Sequence, residues 1–189
     1  MRMFVAAVPP PPVLEDLEDF LSVRREAAPF RWTVPEQWHV TLAFLADVPD
    51  RAYDDLLARL ERAARKRHPV RATIAGGGAF PHVGKAKVLW AGVDLDDPVE
   101  LSRLATGCRA AASKAGIEVA GERFKAHITV ARMGGRPVEA TPWVRLLDAY
   151  RGPSYDIDGI SLIASHLGEG PRKRPRYEVL QTFPLGAGG

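Results

Sequence analysis

The stretch 39-HVTLAFL-45 returns eighty-eight residues later as 127-HITVARM-133. Each copy reads His, apolar, Thr, apolar, Ala, and each has the length and composition of a β-strand. Side chains of a strand alternate between its faces. His39, Thr41 and Ala43 are therefore expected on one face, with Val40, Leu42 and Phe44 on the other. In the second copy His127, Thr129 and Ala131 oppose Ile128, Val130 and Arg132. Each strand would bury its apolar face and present an imidazole and a hydroxyl on the other, the small Ala leaving room for a ligand. With about half of residues apolar, one such tetrapeptide arises by chance in roughly a few per cent of chains this long. Two in one chain carry far more weight.

Working outward, strands and helices alternate with no linker. RMFVAAV opens as a strand and ends at Pro9–Pro12. Apolar residues at 13, 14, 17, 20 and 21 have helical spacing. After HVTLAFL, a second helix begins at Pro49-Asp50 with Tyr53, Leu56, Leu57 and Leu60 on one face. VRATIAGGGAF and KVLWAGVDL form a strand pair joined by the loop 81–87, and residues 98–116 form a long helix with Gly116 at its C-terminal end. HITVARM is followed by a short helix at PWVRLLDAY. YDIDGISLIASHL and RYEVLQTFPL are closing strands, and the final GAGG is read as a frayed end. A strand-helix-HxTx unit in each half indicates two related α+β lobes within a single domain, residues 1–189.

The whole-chain properties narrow the classes. With 189 residues, 46% of them hydrophobic and 26% charged, the chain has the composition of a globular protein with a real core. No apolar run approaches the roughly 20 residues that span a bilayer, so no membrane is expected. The opening MRMFVAAVPPPP is stopped by prolines before it reaches the length of a signal peptide. The lone Cys108 excludes an internal disulfide framework and a Cys-based zinc cluster. A cytoplasmic monomer is the expectation. The net charge of +3 and pI near 9.2 permit an anionic partner without requiring one.

Two imidazoles and two hydroxyls suit chemistry on a phosphodiester. One His takes a proton from the attacking oxygen and the other protonates the leaving oxygen. The Thr41 and Thr129 hydroxyls donate to the non-bridging oxygens, where negative charge concentrates. No metal and no cofactor is expected, because a metal site would want carboxylates or further histidines converging. A serine-nucleophile reading lacks the GxSxG turn.

Paired HxTx motifs about ninety residues apart resemble the 2H phosphoesterase superfamily. MRMFVAAVPP, WHVTLAFL, KVLWAGV, RFKAHITVAR and RPRYEVLQTFPL together resemble its bacterial and archaeal RNA 2′,3′-cyclic phosphodiesterase branch, the LigT-like 2′-5′ RNA ligases. The resemblance runs over nearly the whole chain. It implies an α+β bilobal fold, with two pseudo-symmetric lobes whose antiparallel sheets face a central cleft. It further implies His39 as proton donor, His127 as proton acceptor, and Arg132 as a phosphate contact. Ala126 stands where that branch often has Pro before the second His. The implied reaction is hydrolysis of RNA 2′,3′-cyclic phosphate ends to 2′-phosphomonoesters. The alternatives are hydrolysis of a small cyclic nucleotide, reversible 2′-5′ RNA joining, or an RNA-end-binding module without turnover.

Other residues are weaker candidates. Lys85, on the loop after FPHVG, is placed at the cleft as a possible substrate contact, as are Arg172 and Arg174 in the cluster GEGPRKRPRYEV, where basic side chains are suited to tracking an RNA backbone. Phe44 and Phe124 read as packing residues and Trp90 as half-buried in its strand. His68 and His82 read as surface residues, and His166 lies in a strand.

Overall fold

The computed structural model describes residues 1–121 and 123–186, so the frayed end expected for GAGG lies, beyond Gly186, outside the described residues. The chain runs β1 (Met3–Ala7), α1 (Pro11–Ser22), β2 (Arg31–Trp32), β3 (Val40–Leu45), α2 (Asp50–Arg65), β4 (Val70–Phe80) and β5 (Val88–Leu95). It continues with α3 (Pro98–Lys114), β6 (His127–Arg132), α4 (Thr141–Asp148), β7 (Arg151–Ile157), β8 (Gly159–His166) and β9 (Arg176–Pro184). Among the described residues, no helix is long and apolar enough to cross a membrane.

Local chemistry sets the helix ends. Pro9 and Pro10 separate β1 from α1, whereas Pro11 and Pro12 open the helix, because α1 begins at Pro11. A proline in the first turn loses nothing, since that N–H has no partner within the helix and the fixed φ is already helical. α1 then buries Val13, Leu17 and Leu21 along one stripe. In α3 the Asp97 side chain accepts from the Glu100 N–H, with Pro98 at the first helical position. Its other end closes at Gly116, φ +82°, with the Ile117 N–H donating back to the Ala112 carbonyl at 3.0 Å.

The strands form two antiparallel sheets, a first of order β3-β1-β8-β9 and a second of order β2-β6-β5-β4-β7. β3, carrying the first motif, is an edge of the first sheet. β6, carrying the second, has only the two-residue β2 outside it. Two features depart from the sequence reading. The two-residue β2 was not anticipated. YDIDGISLIASHL, read as one strand, is two: β7 ends in the second sheet at Ile157, and β8 starts in the first at Gly159.

Helices are exchanged between the sheets. α1 follows β1 of the first sheet yet packs on β7 of the second, whereas α3 follows β5 of the second and packs on β3 of the first, beside α2. Tyr150 Oη donates to Asp16 Oδ1 at 2.6 Å, pinning α1 beside the start of β7. One hydrophobic cluster runs through both lobes, from Leu17 and Leu21 past Leu89 and Ile128 to Leu56 and Leu104.

Close approach explains the run AGGGAF in β4. A Cβ on Gly77 would lie 2.6 Å from the Leu147 side chain of α4. One on Gly78 would lie 2.2 Å from the ring of Trp90. Both distances are shorter than packed atoms tolerate, so glycine lets α4 and the indole rest directly on the strand.

Candidate active site

Both motif histidines are held in the same way. His39 Nδ1 lies 2.7 Å from the Gln37 carbonyl, and His127 Nδ1 lies 2.6 Å from the Lys125 carbonyl, each two residues upstream. A carbonyl only accepts, so Nδ1 carries the hydrogen and Nε2 is left as the exchangeable nitrogen. Aromatic walls fix the ring planes. Phe4 stacks on His39 with centroids 4.5 Å apart, and Tyr177 meets it edge-on at 5.7 Å. Phe80 and Trp90 enclose His127 at 5.0 and 5.9 Å.

Beyond each Thr the strand does not keep its alternation. Ala6 pairs with Thr41 but Val5 pairs with Ala43, leaving Leu42 as an extra residue in β3. Trp90 pairs with Thr129 but Leu89 pairs with Ala131, leaving Val130 extra in β6. A bulge inverts the faces downstream of it. Ala43 and Ala131 consequently lie in the core, not beside His39 and His127 as strict alternation required. Phe44 and Arg132, expected on the opposite face, line the cleft instead. The two bulges fall at equivalent positions, so Phe44 and Arg132 are counterparts.

The cleft has a volume of about 260 Å³ and gathers His39, Thr41, His127 and Thr129. Arg2, Arg31, Arg132 and Arg174 add four guanidinium groups, and no Asp, Glu or Cys lines it among the described residues. That charge pattern fits an anion, and the donor set has no carboxylate to complete a metal site. Burial lowers the pKa of His39 from 6.5 to about 4; the Gln37 carbonyl opposes this, while the positive charges of His127 and Arg132 add to it. At neutral pH His39 is therefore uncharged. Across the cleft, the Thr33 hydroxyl accepts from Trp38 Nε1 at 2.7 Å and donates to the Thr129 carbonyl at 2.9 Å. It ties the residue before His39 to the second motif.

The sequence profile described as LigT like Phosphoesterase matches residues 8–90 and 93–172. The chain belongs to the LigT-like phosphoesterase family. It is 33% identical over 198 residues to a Thermus thermophilus protein named RNA 2′,3′-cyclic phosphodiesterase, covering 98% of this chain and 90% of that one. A protein of the same name from Archaeoglobus fulgidus is 30% identical, with 97% and 99% covered. The crystal structure of TT0787 from Thermus thermophilus superposes with a TM-score of 0.80 at 31% identity, over 99% of both chains.

Within this LigT-like phosphoesterase, the other sequence candidates separate by location. Arg174 lines the cleft, and Arg172 lines an adjoining pocket with Arg174, Arg25, Phe30 and Trp32. Lys85 is exposed on the turn Val83–Lys85 and is not among the cleft residues. His166 pairs with Glu178 at 2.9 Å, and His82 accepts from the Gly84 N–H at 3.2 Å. His68 stands by Asp97 and Glu100. Cys108 is buried, and burial pushes its thiol up to about 12, which removes it from chemistry at neutral pH. Sequence reading missed Arg2, Arg31, Gln37, Ser165 and Tyr177 in the cleft. Arg31 reaches the cleft by pairing directly with Arg132 across β2 and β6, a register for which the two-residue β2 left no signal in the sequence.

Proposed function

We propose that this phosphoesterase hydrolyses RNA 2′,3′-cyclic phosphate ends to 2′-phosphomonoesters by metal-independent acid–base catalysis between His39 and His127. The carrying observation is the matched anchoring of two imidazoles in one cleft that also holds two Thr hydroxyls and four Arg, with no carboxylate among the described residues. The names of the Thermus and Archaeoglobus relatives support the substrate class.

In this reading the cyclic phosphate sits with its non-bridging oxygens toward Thr41, Thr129 and Arg132, which neutralise the charge that builds there. His127 Nε2 removes a proton from water as it attacks phosphorus. The bond from phosphorus to the 3′ oxygen breaks, and His39 Nε2–H delivers its proton to that oxygen. His39 must be protonated to do so. The substrate phosphate, as an anion beside the ring, favours the charged imidazolium and offsets the effect of burial.

The test is an oligonucleotide ending in a 2′,3′-cyclic phosphate, incubated in EDTA with product analysis. A 2′-phosphate with a free 3′-hydroxyl is expected. His39→Ala and His127→Ala should each slow the reaction by about 10²- to 10⁴-fold. Loss of turnover on chelation would overturn the metal-independent reading. A 3′-phosphate product would reverse the assigned orientation.

A further inference from the structure

A second cavity, about 680 Å³ against about 260 Å³ for the histidine cleft, is a groove between α2 and α3. Arg59, Arg62, Lys66, Arg67, Arg103 and Lys114 line it, six of the 26 Lys and Arg in the chain, and no Asp or Glu does. The absence of acids is not a matter of supply. α2 carries Asp50, Asp54, Asp55 and Glu61, and all four fall outside the groove. Arg59 is paired with Asp55 at 2.9 Å and Arg67 with Glu100 at 3.5 Å. Arg62, Lys66, Arg103 and Lys114 have no carboxylate partner among the described residues. Unpaired cations facing one another across a groove repel and add nothing to folding, so their concentration here calls for an anion.

The shape agrees with the charge. Arg59 and Arg62 on α2, and Lys66 at its C-cap, recur at helical spacing along one flank. Opposite them α3 offers the Ser102 and Thr106 hydroxyls, with a floor of Ala63, Gly107, Ala110 and Ala111. The helices are close at that floor, where a Cβ on Gly107 would meet the Ala63 Cβ at 3.7 Å. The result is a trough with a small-residue bottom, cationic walls and hydroxyl donors. No aromatic residue lines it, so it has no platform on which bases stack.

We propose that this groove binds the phosphodiester backbone of an RNA strand, independently of base sequence and of the chemistry at the RNA end. The choice of RNA among polyanions rests on the proposed activity. α3 packs on β3, whose Thr41 and Phe44 face the cleft on the other side of the first sheet. The groove therefore engages a stretch of the strand away from its reacting end.

Fluorescence anisotropy with labelled oligouridylate and oligoadenylate, both ending in a plain 3′-hydroxyl, tests this directly. The two should bind alike. Combined replacement of Arg62, Lys66, Arg103 and Lys114 by Ala should weaken binding at least tenfold at low salt. It should also lower the slope of log affinity against log salt by about 0.7 for each phosphate no longer neutralised. Hydrolysis of a mononucleotide 2′,3′-cyclic phosphate should be unchanged. Ser102→Glu with Thr106→Glu, which adds negative charge without removing a cation, should weaken the oligonucleotide similarly. Unchanged affinity and slope in both variants would overturn the proposal, as would groove-dependent binding of phosphatidylserine vesicles without binding of RNA. Failure of the catalytic reading appears separately, as absence of turnover on the cyclic mononucleotide while groove-dependent binding persists.

Discussion

Thr33 contributes no chemistry of its own, yet its single hydroxyl serves both motifs. Trp38 is 1% exposed, and its indole N–H has Thr33 Oγ1 as its acceptor. Thr33→Val keeps the shape and removes both hydrogen bonds. A buried donor left without a partner costs about 1–3 kcal/mol, so urea unfolding should register a loss of that size. Trp38→Phe removes the donor itself, and the double variant should lose less than the two single losses added together. Additive losses would show that the hydroxyl and the indole act separately. His39 makes a second prediction at this scale. Its folded pKa of about 4 lies below the 6.5 of an unperturbed imidazole. Between those values the unfolded chain takes up a proton that the folded chain refuses. The stabilising contribution is thus complete above about pH 6.5 and is lost as pH falls toward 4, by up to about 1.4 kcal/mol per pH unit. His39→Gln should flatten that part of the urea midpoint against pH, and an equally steep profile would assign the proton elsewhere. An anionic substrate raises the imidazole pKa, so the limbs of kcat should lie at higher pH than those of kcat/KM.

Among the elements, β4 and β5 set the wall behind His127. Gly78→Ala drives a methyl into the Trp90 ring, and overpacking of this kind costs about 1–3 kcal/mol. In a Trp90→Leu background the same substitution should cost far less, measurable as a coupling between the two sites in thermal unfolding. An equal penalty in both backgrounds would place the strain in the β4 backbone. The long helices and the motif strands were legible because their apolar spacing extends over several turns or pleats, as with Val13, Leu17 and Leu21. β2 was not, since the two residues Arg31 and Trp32 hold no period. The break at Asp158 was hidden because Tyr155, Ile157, Ile160, Leu162 and Ile163 read as one apolar strand crossing it. The bulges at Leu42 and Val130 were equally silent: Leu-Ala and Val-Ala suit a core whether or not the pleat slips. Strict alternation consequently turned Phe44 and Arg132 away from the cleft. The two His and two Thr precede the slip in each strand, which is why their shared face could be read from the sequence.

At the scale of the molecule, the exchanged helices govern how the fold comes apart. With α1 packed on β7 and α3 on β3, each sheet loses one of its covering helices when the other opens. We expect a single calorimetric transition, with calorimetric and van't Hoff enthalpies equal. Fragments 1–96 and 97–186, expressed separately, should fail to fold alone, since each retains a helix whose partner strand lies in the other. Two resolved transitions would mean that the lobes are independent domains. The paired bulges bear on something different, the sense in which the cleft is read. Imidazole and hydroxyl repeat on both walls like a palindrome, legible from either end. The kinks break it by turning in an aromatic ring at 44 and a guanidinium at 132. What is mirror-like in the two His and two Thr thereby acquires a front and a back, and polarity enters through the two positions where the pleat has slipped.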